Sequence, residues 1–171
     1  DYKFMDQNLL ILNRLYDLMV HKQISEKRKT HINPLNKFSV LNGFSQMDED
    51  GITIEILNRI GLSKGFFVEF GIGNGTENNS LILLASYWKG AWFGGEDLAF
   101  DTSISDKLFF KKEWISKDNI LSLYNSLGEN ADLISLDLDG NDIYLVEELL
   151  SNNVRPKLFI VEYNAKFPPH V

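Results

Sequence analysis

The chain contains no cysteine, and that absence removes a disulfide framework, a thiolate zinc site and a cysteine nucleophile together. It fits a reducing compartment. Histidine is scarce too. His21, His31 and His170 are the whole complement and all lie outside the central motifs, so no histidine base is expected there. Positive charge is in deficit: 17 Lys and Arg against 24 Asp and Glu give a formal net charge of −7. That balance argues against a nucleic-acid partner, which would want a basic face. No apolar run approaches the ~18 residues of a membrane span. Asp6, Asn13, Arg14 and Asp17 also break up the N-terminal segment too often for a signal peptide. The expectation is a cytoplasmic protein with no membrane or nucleic-acid partner.

What is present reads as one domain. A length of 171 residues can bury one substantial core but not two, and 44% apolar with 24% charged residues is ordinary for a globular protein. The chain begins at Asp1 rather than Met, which suggests a piece of something longer. Residues 4–20 read as an amphipathic helix on Leu9, Leu12, Leu15, Tyr16 and Met19, and a basic cluster over 21–30 follows. Residues 1–43 are taken as this helix and a connector, and 44–171 as the main domain.

The main domain alternates strand and helix patterns. Ser45 or Asp48 can cap a helix carrying Ile52, Ile56, Leu57 and Ile60 and ending at Gly61. Residues 66–70 read as a strand, closed by Gly71, Gly73 and Gly75 on alternate positions. A helix with Leu81, Leu84, Ala85 and Trp88 on one face should end at Lys89 and Gly90, and Ala91, Trp92 and Phe93 begin a second strand. A third strand starts at Leu108 and continues towards Trp114 and Ile115. A helix capped by Asp118 or Asn119 then runs to Gly128. Residues 132–139 form a fourth strand, 143–150 a helix and 157–164 a fifth strand. This alternation predicts an α/β fold, an open, mainly parallel sheet with helices on both faces. Gly71 to Gly75, Glu96, the Asp137 group and Glu162 all follow strand ends, so they should meet on one edge, where such sheets bind ligands.

The glycine spacing is not the G-x-G-x-x-G of a dinucleotide site, which would place glycine at Thr76. With Glu69 it resembles motif I of class I S-adenosylmethionine-dependent methyltransferases. The ordered set is more specific: Ser45 and Gln46, Glu49 to Gly51, Val68 to Gly71, Glu77 to Asn79, Trp88 to Gly90, Asp137 to Asp142, and Glu162 to Asn164. In that order the motifs resemble the FkbM-type methyltransferases over roughly residues 44–168. The resemblance implies a Rossmann-like fold of seven strands, of which five are found here and the C-terminal ones are expected to be missing. It further implies S-adenosylmethionine as cofactor and a sugar-like hydroxyl acceptor. Glu69, Gly71, Ile72, Gly73 and Gly75 would hold the methionine part, Glu96 the ribose, and Asp137 the sulfonium region. Glu96 lies two positions beyond the usual ribose acid, whose place Gly94 takes.

Asp139, Asp142 and Glu162 are the candidate catalytic acids, since a hydroxyl acceptor must lose its proton to a nearby carboxylate. Asp137, Asp139 and Glu162 would also make an oxygen set for Mg²⁺. Asp142 can equally be a cap for the helix that follows it. Two alternatives stand beside the methyltransferase reading: a nicotinamide- or nucleotide-sugar-binding protein on the same fold, and a catalytically incomplete methyltransferase fragment.

Overall fold

The computed structural model describes residues 32–39, 43–45, 49–102, 106–140 and 142–163. The expected helix over 4–20, the basic cluster over 21–30, and Gln46, Asp48, Asn141 and Asn164 lie outside the described residues.

Among the described residues five strands form one open sheet: β1 (Phe66–Phe70), β2 (Lys89–Gly94), β3 (Leu108–Lys112), β4 (Leu133–Leu136) and β5 (Leu158–Val161). Their order is β3-β2-β1-β4-β5 and every pairing is parallel. The chain runs outward from β1 through β2 to β3, then returns to the far side of β1 for β4. The order therefore reverses between β1 and β4, and a crevice opens at their C-terminal ends.

The two-residue period of the strands sorts side chains into two layers. Val68, Phe70, Ala91, Phe93, Ile134 and Leu136 pack on one face with helices α3 (Ile120–Asn125) and α4 (Asp142–Ser151). Phe67, Trp92 and Leu133 pack on the other with α1 (Glu49–Arg59) and α2 (Leu81–Ala85). Phe67, Phe70, Trp92 and Phe93 are wholly buried, worth about 2–3 kcal/mol each on removal from water. Phe70 and Phe93, register partners on β1 and β2, stack at 5.1 Å. This is the expected α/β architecture, Rossmann-like and covered on both faces.

Boundaries differ from the sequence reading in ways with physical causes. Helix α2 stops at Ala85, because Tyr87 takes a positive φ of 68° and turns the chain. Trp88 is buried in that turn rather than on the helix, and Lys89 and Gly90 open β2 instead of closing α2. β3 ends at Lys112, leaving Trp114 79% exposed in the loop beyond it. The glycine stops hold. Gly61 (φ 72°) follows α1, where the Leu62 N–H donates to Leu57 O, and Gly128 (φ 65°) follows α3. Ser45 also anchors α1: its Oγ accepts from Asp50 N at 3.1 Å, while Asp50 Oδ2 accepts the amides of Gly43, Phe44 and Ser45.

Candidate functional site

The chain leaves β1 through three left-handed glycines, Gly71 (φ 92°), Gly73 (φ 53°) and Gly75 (φ 85°). Gly71 has no room for a side chain: a Cβ there would lie 1.9 Å from the carbonyl oxygen of Asp137. The end of β1 therefore lies directly against the end of β4, held by Asp137 N–H to Phe70 O (3.1 Å), while Gly71 N–H to Phe93 O (2.9 Å) ties the same point to β2.

Above this junction is a cavity of about 620 Å³, within the usual range for small-molecule sites. Gly71 and Gly73 line it on one side, Gly95 and Glu96 follow β2, and Asp137 and Asp139 follow β4. The loop after β3 supplies Trp114 and Lys117, and α4 supplies Tyr144. Three acids against one lysine make the lining negative.

The lack of an acid at the end of β2 has a steric cause. A Cβ at Gly94 would meet Ile72 Cγ1 at 2.8 Å, so the last position of β2 cannot carry an acid while Ile72 packs there. Glu96 provides the carboxylate on this wall.

Glu69 lies elsewhere. Its place in β1 puts it on the α1–α2 face, level with Trp92 of β2 and Ser135 of β4. Fully buried, its carboxylate accepts the amides of Asn79 and Ser80 at 3.0 Å each and the Ser80 hydroxyl; Trp92 Nε1 donates to Ser80 Oγ at 2.8 Å. Burial is the main cause that pushes this carboxyl up to about 7, against the pull of those hydrogen bonds. Glu69 thus fastens the segment leading into α2 to the sheet and does not line the cavity. Ile72 and Gly75 are also buried and do not line it.

The acid turn divides into two pairs. The Asp142 carboxylate accepts Leu138 N–H (2.9 Å) and Gly140 N–H (3.1 Å), and Glu162 Oε2 accepts Asp139 N–H (3.0 Å). These two acids hold three successive amides and shape the turn, in which Asp139 takes a φ of 59°. Asp137 and Asp139 are the pair that face the cavity. Partial burial, then repulsion from Glu162, Asp142, Asp139 and Glu49, pushes the Asp137 carboxyl up to about 6. The residue as a whole is exposed, so solvent weakens the burial part and the crowding of acids sustains the direction. Among the described residues no three acids or histidines converge as a metal-binding group, the set Asp137, Asp139 and Glu162 included.

Asp142→Ala should lower stability by about 1–3 kcal/mol in urea unfolding, because two amides of the turn lose their acceptor at the start of α4. A wild-type midpoint would refute that anchoring role.

Sequence reasoning passed over Trp114, Lys117 and Tyr144. Trp114 reads as the continuation of a strand, and Tyr144 lies in an ordinary helical pattern. The available signal was their position after β3 and β4, on the same edge as the glycines. No helix among the described residues is long and apolar enough to cross a membrane. Comparison with protein-family models, curated proteins and solved structures finds no match for this chain.

Proposed function

We propose that the chain binds S-adenosylmethionine in the cavity at the β1–β4 switch and methylates the hydroxyl of a sugar-like small molecule. The observation that carries this is an acidic cavity lined by bare glycine backbone, a setting for a cationic ligand. Gly71 and Gly73 offer main chain without side chains, Glu96 a carboxylate for ribose hydroxyls, and Asp137 a negative charge for a positive centre. A dinucleotide would need free amides for its diphosphate. Its diphosphate would also meet the carboxylates of Glu96, Asp137 and Asp139 along the cavity wall, which repel an anion. This favours the methyl donor over the nicotinamide alternative.

When bound, the cofactor supplies an electrophilic methyl group on a cationic sulfur. The chain's own contribution is positioning, with the Gly71 turn fixing one wall and the Asp137–Asp139 pair another. Asp139, exposed on the cavity wall, takes the proton that the acceptor hydroxyl loses. Asp137 is more than half ionised only above about pH 6.

Isothermal titration calorimetry tests the reading. S-adenosylhomocysteine should bind and NAD should not; tight NAD binding with no response to S-adenosylhomocysteine would overturn it. Affinity for S-adenosylmethionine should rise several-fold as pH increases through about 6, where Asp137 ionises. Asp137→Asn should abolish that rise. An unchanged pH profile in the variant would remove Asp137 from the site.

A further inference from the structure

Trp114 is a costly side chain to leave uncovered. Of the three tryptophans in the chain, Trp88 and Trp92 are buried, whereas Trp114 is 79% exposed on the wall of the acidic cavity. It is nonetheless held from several sides. The Glu113 N–H donates to Gly94 O (2.9 Å), which ties the chain leaving β3 to the end of β2. Asn119 brackets the loop beyond, its Nδ2 donating to Trp114 O (2.7 Å) and its Oδ1 accepting the Ser116 N–H (2.8 Å). The indole itself lies on Gly95, where a Cβ would sit 2.8 Å from Cε3 and 3.3 Å from Cζ3. Gly95 is not among the left-handed glycines, so the main chain does not call for glycine there; the ring does.

We infer that Trp114, seated on Gly95, is the wall on which the purine base of the donor stacks. The inference rests on the methyltransferase reading and deepens it, adding a base site to the ribose acid. Connectivity selects this occupant. In the donor the ribose stands between the base and the cationic sulfur. In the cavity Glu96, the acid assigned to the ribose, follows β2; Trp114 follows β3 and Asp137 follows β4. The sheet order β3-β2-β1-β4 therefore lays out aromatic ring, ribose acid and cation acid in the sequence the ligand needs. Gly95 also immediately precedes Glu96, so a base joined to the ribose falls against the indole. Stacking asks only for a flat π-face, so this wall fixes that a base binds there and not which base.

Tryptophan emission reads this wall directly, because Trp114 is the exposed one of the three. S-adenosylhomocysteine should shield it from acrylamide quenching, and homocysteine, which lacks the base, should not. In calorimetry Trp114→Ala should weaken S-adenosylhomocysteine binding about tenfold or more, the loss of one base–aromatic stack, and Trp114→Tyr should restore most of it. Gly95→Ala keeps the indole but pushes it off its seat, so it should weaken binding several-fold and reduce the shielding. The urea midpoint of Trp114→Ala should stay near wild type, since the side chain is exposed, which separates lost binding from lost folding. If S-adenosylhomocysteine binds without shielding Trp114, or binds Trp114→Ala as tightly as wild type, the inference falls and the donor reading stands. If NAD binds and shields Trp114 while S-adenosylhomocysteine does not bind, the donor reading falls and the base wall stands. Shielding by methyl glucoside in place of S-adenosylhomocysteine would give the ring to the acceptor and overturn the inference.

Discussion

Gly71→Ala is expected to lose about 3–5 kcal/mol of stability and all measurable affinity for S-adenosylhomocysteine. The reason is a contact that no rotamer can relieve. A Cβ would lie 1.9 Å from Asp137 O and 2.7 Å from its carbonyl carbon, where real Cβ atoms stay beyond 3.0 Å. β4 would have to move away from β1 by roughly an ångström, straining the Asp137 N–H to Phe70 O bond and displacing the two cavity aspartates. The left-handed φ of 92° adds its own penalty for any L-residue. Gly73 supplies the control. It too is left-handed, but a Cβ there meets nothing within 4 Å, so Gly73→Ala should cost only about 1–2 kcal/mol. Urea unfolding and calorimetry on the two variants give the comparison. Equal stabilities would mean that the β1–β4 junction is not the tight contact described.

The second large effect belongs to Glu69. Its carboxyl titrates near 7 when folded and near 4.5 when unfolded, because burial outweighs its hydrogen bonds. The folded state therefore holds the proton more strongly. The contribution to stability is fully present below about pH 4.5 and is lost as pH rises through about 7. The difference amounts to about 3 kcal/mol. Other carboxylates and Asp137 titrate over overlapping ranges, so the informative quantity is the wild-type curve minus that of Glu69→Gln. That difference should fall by about 3 kcal/mol between pH 4.5 and 8 in urea unfolding. Glu69→Gln will also start from lower stability, since its amide group turns donors towards the Ser80 N–H. A flat difference curve would show that the carboxyl is not held in a dry setting.

Much of the framework was legible because it depends on local chemistry. β1, β2 and β4 are apolar on both faces apart from Glu69, Lys89 and Ser135, as buried parallel strands require, and glycine punctuates where left-handed backbone is needed. The convergence of the glycine turn, Glu96 and Asp137 on one edge follows from their places just after strand ends of a parallel sheet. Glu69 was harder. Its alternation with Val68 and Phe70 assigns it to the opposite face from them, but only the tertiary fold shows that Asn79 and Ser80 cover that face. The division of the acid cluster was also hidden, since the bond from Asp139 N–H to Glu162 joins residues 23 apart across two strands. Trp114 reads as strand because it is an aromatic residue beside an apolar run, whereas β3 ends two residues earlier.

The bond from Asp139 N–H to the Glu162 carboxylate makes the outermost strand a mechanical lever on the acid turn. Glu162 follows β5 directly and is fixed in turn by its own N–H to Leu136 O at 2.9 Å. Whatever shifts or steadies that rim of the sheet will tilt the turn and re-aim the Asp139 carboxylate, without entering the cavity at all.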